Sequence, residues 1–129
     1  MAGGFFMNTA RLPFLVEGIL ILAAMIFGIL LSSGEKPYGK VKLVIHLFLF
    51  AWLTTGFVFI VYGLSTIDAM KVIWIPIVMM GLMILTQPVT GILMLASGKK
   101  GKALPRIHTV SAILMVFSDI CALIIAGLR

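Results

Sequence analysis

The chain has 129 residues, of which 62% are hydrophobic and only 11% charged, with a formal net charge of +6. Soluble domains run at roughly 45–50% apolar and about 25% charged, so the apolar surplus belongs in lipid and the chain reads as an integral membrane protein. Disorder, a disulfide-stapled scaffold and a large soluble catalytic domain are excluded. Cys121 is the single cysteine and lies in an apolar run, so no intrachain disulfide forms. A basic surplus on a lipid-embedded chain sets orientation, so the expected partner is the bilayer and not nucleic acid.

Four stretches match the roughly 20 apolar residues that cross a bilayer core about 30 Å thick: 12–31, 43–63, 72–96 and 104–128. The connectors SSGEKPYGK, LSTIDAM and SGKKGK are short and rich in helix-ending residues. The expected fold is an all-α, up-and-down four-helix bundle forming a single four-span transmembrane domain, with the second and fourth spans parallel and across the diagonal. The first span, preceded by Arg11 and followed by Ser32, Ser33 and Gly34, has the flanks of a signal peptide. Its apolar run exceeds the usual 7–15 residues of a secretory core, which favours a full crossing. Lys36, Lys40, Lys42, Lys99, Lys100, Lys102 and Arg106 flank one face, and Arg11, Lys71 and Arg129 the other. That asymmetry in short loops marks the first face as cytoplasmic and places both termini outside.

An ionisable residue within a span costs about 2.5–3.5 kcal/mol on insertion scales, so the few present are functional candidates. The first span carries Glu17, with Ala24 and Gly28 on the same helical face. The second carries His46, and Trp52 near its middle is expected to pack inside. In the third, Pro76 falls in the first turns, where a missing N–H costs nothing. Pro88 should kink the helix beside Gln87 by clashing with the Ile84 carbonyl, with Thr86 and Thr90 satisfying the freed groups. Gly91 shares a face with Gln87 and Met94, while Met79, Met80, Met83 and Met94 read as gap fillers, not as copper ligands. Trp74 sits at an interface as an anchor. In the fourth span His108, Ser111, Ala112, Met115, Asp119, Ala122 and Ala126 form one inward stripe.

His46 and His108 are the only histidines, and each follows a lysine, Lys40 or Lys102, by six residues. Both therefore sit roughly 5–8 Å inside the basic boundary, on helices that point the same way. Two imidazoles at equal depth on diagonal helices suit one octahedral iron, the arrangement of a six-coordinate haem b. A structural zinc site needs about four ligands, and no Cys, Asp or Glu of the spans shares this level. Gly28 and Gly91, at the same height on the other two spans, leave room for a porphyrin. Lys40, Lys42, Lys102 and Arg106 are placed to meet its propionates.

A glycine on the first and third helices with a histidine on the second and fourth resembles the haem-binding bundle of the cytochrome b superfamily of membrane electron carriers. The likeness spans all four helices through Gly28, His46, Gly91 and His108. Members with two haems carry a second histidine thirteen or fourteen positions along; here those positions hold Phe59 or Ile60 and Cys121 or Ala122. The resemblance thus implies a single-haem electron carrier, an oxidoreductase or electron-transfer subunit, exchanging electrons with a quinone or a redox partner protein and working as a subunit or homo-oligomer. One haem cannot by itself carry electrons across the whole membrane.

Glu17 and Asp119 fall in the opposite half and are expected to face each other as a proton relay or a quinone headgroup site, with Tyr62 or Ser118 as donor. Two readings without a cofactor compete with the cytochrome. One is a proton-coupled transporter or channel subunit using Glu17, Asp119 and the histidines as titrating groups; the other is a structural subunit whose polar residues bind neighbouring helices. The chain holds no nucleophile triad, phosphate loop or metalloprotease motif.

Overall fold

The computed structural model describes the backbone of residues 2–33, 40–66, 71–97 and 103–127, and the side chains of 11–31, 40–66, 71–96 and 103–127. The chain is an all-α four-helix bundle: α1 (Ala2–Ser33), α2 (Lys40–Thr66), α3 (Trp74–Ser97, led in by a single 3₁₀ turn over Lys71–Ile73) and α4 (Ala103–Ala126). Each helix is long and apolar enough to cross a membrane. In lipid every peptide group needs an internal partner, which only helices provide for such single spans. Lys36, Lys99, Lys100, Lys102 and Arg129 lie outside the described residues.

Helix α1 runs through Pro13 back to Ala2, beyond the start expected near residue 12. Pro76 is the third residue of α3 and Pro105 the third of α4, where no intrahelical N–H bond is lost. Hydroxyls are folded back onto their own helices: Thr54 donates to the Phe50 carbonyl at 2.8 Å and Thr55 to that of Ala51 at 2.9 Å. Thr86 and Thr90 do the same toward Leu82, Thr86 and Gln87. Their acceptors differ from the Ile84 carbonyl expected beside Pro88, because a threonine reaches back three or four residues and neither stands at that offset.

α1 packs against α2 and α4, and α3 against α4; α2 and α3 meet along the loosest seam. Among the described residues the α2 and α4 backbones make no close approach, nor do those of α1 and α3, so both pairs are diagonal. The core has two apolar tiers. Phe14, Ile60, Leu64, Ile73, Ile77 and Ala122 form the tier near Arg11, and Ile21, Ala24, Leu53, Met80, Ile84 and Met115 the central one. The Arg11 guanidinium rests where a side chain on Gly127 would stand, tying the start of the α1 span to the end of α4. Toward the basic face burial stops: no described side chain is buried in α1 after Ala24, in α2 before Leu53, in α3 after Thr90 or in α4 before Ser111.

The outward residues correct two expectations. Trp52 is 56% exposed and rests on Phe48, ring centres 5.6 Å apart, facing lipid instead of the core. Tyr62 is 69% exposed and turns away from the bundle interior. With hydrocarbon as the solvent, an aromatic ring loses nothing by facing out.

Candidate functional site

The two histidines meet. His46 from α2 and His108 from α4 bring their ring centres to 6.4 Å across the diagonal, with the planes at 56°. His46 Nδ1 lies 2.8 Å from the Ala24 carbonyl of α1. A carbonyl only accepts, so Nδ1 carries the proton and Nε2 keeps the lone pair. Gly28 stands one turn beyond Ala24, and a Cβ there would lie 3.2 Å from His46 Cε1. The missing side chain is what lets the ring reach the α1 backbone.

His108 is held by α3 in an equivalent way with different groups. Its Nδ1 is 2.7 Å from Thr90 Oγ1. The Thr90 hydroxyl also reaches the Thr86 carbonyl at 2.9 Å and that of Gln87 at 3.1 Å; when its one proton goes to either, His108 Nδ1 is the donor to Thr90 and Nε2 keeps the lone pair. Gln87 Nε2 donates to the His108 carbonyl at 2.9 Å and to Ser111 Oγ, and Ser111 donates to the same carbonyl at 2.9 Å. Ring and backbone of His108 are thus fixed from one helix. Gly91 lies alongside, but a Cβ there would meet His108 Cε1 at 3.6 Å, an ordinary contact.

The four expected residues Gly28, His46, Gly91 and His108 therefore converge at one level, and each glycine borders the ring of its neighbouring histidine. Gln87 and Thr90, expected respectively as a polar residue of α3 and as a partner for backbone freed by Pro88, prove to be the supports of His108. No group of three or more His, Cys, Asp or Glu that could hold a metal ion by themselves occurs among the described residues. The paired imidazoles fall below that number. Lys40, Lys42 and Arg106 are exposed at this end.

The carboxylates converge separately. Glu17 is 1% exposed and Asp119 4%, between the two apolar tiers. Glu17 leans across to α2, its Oε2 occupying the place of a Cβ on Gly56; Asp119 leans onto α1, its Oδ2 2.6 Å from where a Gly18 Cβ would be. Ser118 is 1% exposed beside them on α4. Tyr62 takes no part. Gly18 and Gly56 were not singled out in the sequence; Gly56 has the depth of Glu17 counted from the histidine level, and that coincidence is the signal that could have found it.

Comparison with family models, with curated proteins and with solved structures finds no match to this chain.

Proposed function

We propose that the chain is a membrane b-type cytochrome that holds one haem between His46 and His108. The observation that carries this reading is that each histidine spends Nδ1 on a neighbouring helix, His46 on the Ala24 carbonyl and His108 on Thr90, while the two rings stand 6.4 Å apart. Two imidazoles ligating one ion from opposite sides through metal–nitrogen bonds of about 2 Å have ring centres about 6 Å apart. The reading is supported by residues that are only partly buried at this level, and by Gly28 and Gly91, which put no side chain of α1 or α3 against the rings. When bound, the iron supplies one-electron exchange.

The chain's own residues then have distinct tasks. The Ala24 carbonyl and Thr90 hold the two tautomers and ring orientations, as outer-shell acceptors do for ligating histidines, and raise the basicity of each Nε2. Gln87 and Ser111 fix the backbone from which His108 projects. Lys40, Lys42 and Arg106 are available to the propionates, joined by Lys102 in the sequence. A haem held at this level would exchange electrons near the face that the basic loops mark as cytoplasmic, opposite both termini, with a quinone, a redox partner subunit or a second copy of the chain.

The test is an absorption spectrum of the full chain purified from haem-replete cells. The proposal expects a Soret band, with split α and β bands on reduction, and their loss in both His46→Ala and His108→Ala. A colourless wild-type protein overturns it.

A further inference from the structure

The second polar layer is independent of the histidines. Glu17 and Gly28 are eleven residues apart on α1, as are His108 and Asp119 on α4, which is about 16 Å along each axis. Glu17 Oε1, Asp119 Oδ1 and Ser118 Oγ are all buried and have no hydrogen-bond partner. Three such atoms in one layer, in a bundle whose histidines and α3 amide are all bonded, ask for a ligand that donates or carries positive charge.

We propose that Glu17, Asp119 and Ser118 form a binding site for one exchangeable monovalent cation, a proton or a sodium ion, held between the two carboxyls. Charge sets the sign of the ligand. The groups facing the layer from each packed helix are Glu17 on α1, and Ser118 and Asp119 with the half-buried Cys121 on α4. From α2 comes Gly56, with Thr55 and Tyr62 both exposed, and from α3 the apolar Met80 and Ile77. No described lysine, arginine or histidine stands at this depth. Arg11 is six residues before Glu17, about 9 Å along the axis, with its guanidinium on Gly127. A bare carboxylate pair in hydrocarbon is too costly to persist without a positive partner.

Coordination number sets the size. Calcium and magnesium take six or more oxygens, more than the five that two carboxyls and a hydroxyl can supply. A proton needs only two oxygens, and a carboxyl pair sharing one proton is an established arrangement. Sodium would draw on Ser118 Oγ as a further ligand. Gly56 and Gly18 are the structural cost of the site, since a side chain at either would stand where a carboxylate oxygen lies.

The test uses dicyclohexylcarbodiimide on the full chain in liposomes. This apolar reagent adds to a protonated carboxyl: the carboxyl oxygen bonds to the central carbon, the proton moves to a nitrogen, and rearrangement to the N-acylurea retains every atom. Peptide mass spectrometry should find the adduct on Glu17 or Asp119. For a proton site, labelling should fall about tenfold per pH unit on the alkaline side of its titration. For a sodium site, sodium chloride should suppress labelling relative to choline chloride. Infrared difference spectra of the wild type, across pH and between the two salts, provide a second readout that needs no reagent access, through the carboxyl carbonyl stretch, with Glu17→Gln removing the band. Silence in both measurements, or labelling indifferent to pH and to sodium, overturns the proposal. The outcome does not depend on the histidine level, so it stands or falls separately from the cytochrome reading.

Discussion

The bundle has two polar layers about 16 Å apart, and they are built on opposite principles. At the histidine layer each ring nitrogen pointing toward a neighbouring helix is bonded, one to a backbone carbonyl and one to a hydroxyl, and the surrounding side chains are loosely covered. At the carboxyl layer the packing is tight, with exposures of 1–4%, while three polar atoms go unbonded. Orientation is thus fixed where the side chains are loosely covered, and packing is closed where bonding is left open. In the two proposals above, the first combination holds a haem and the second a single cation.

The largest effect that would break this contrast is removal of a ligand: His46→Ala and His108→Ala should each abolish haem retention, read from the Soret band of the purified protein. Next comes the support. Thr90→Val deletes the acceptor of His108 while preserving shape, and loss of such outer-shell partners typically costs about 10–100-fold in metal affinity, so haem titration of the apoprotein should show a decrease in that range. Unchanged affinity would mean that Thr90 merely satisfies its own helix.

On the carboxyl side, Gly56→Ala collides with Glu17 Oε2 in a closed layer, and overpacking of this kind costs about 1–3 kcal/mol. Gly63→Ala on the same helix meets nothing within 4 Å and serves as the control; it should leave unfolding in mixed micelles unchanged or raise stability by about 0.4–1 kcal/mol. Equal losses from the two would show that α2 tolerates no alanine for reasons unrelated to Glu17.

The smallest effect sharpens the role of the paired glycines. Gly28→Ala presses on His46 at 3.2 Å, whereas Gly91→Ala makes only an ordinary 3.6 Å contact with His108. If the glycines serve the rings alone, Gly28→Ala weakens haem binding and Gly91→Ala does not. If a porphyrin also passes over α3, both weaken it.

Much of this was legible in the sequence, for a reason specific to lipid. Span number and position follow from length and hydropathy, and the diagonal pairing of α2 with α4 follows from short connectors. Inward faces could be read only from polar and small residues: Glu17, His46, Gln87, His108 and Asp119 all turn inward or to the half-buried interior. Apolar residues gave no such signal, because hydrophobicity does not separate lipid from core, and so Trp52 and Tyr62 were misplaced. Thr90 escaped for another reason. It lies eighteen residues from His108, and the chain alone says nothing of a contact made across two helices. The continuation of α1 through Pro13 likewise needed the structure, since proline ordinarily marks a boundary.

Electron paramagnetic resonance of the oxidised, haem-loaded chain tests the central claim most directly, because it reports both axial ligands at once. The account predicts a low-spin ferric signal in the wild type, absent from the His46→Ala and His108→Ala proteins. A high-spin signal in the wild type, or a low-spin signal that survives loss of either histidine, would contradict it.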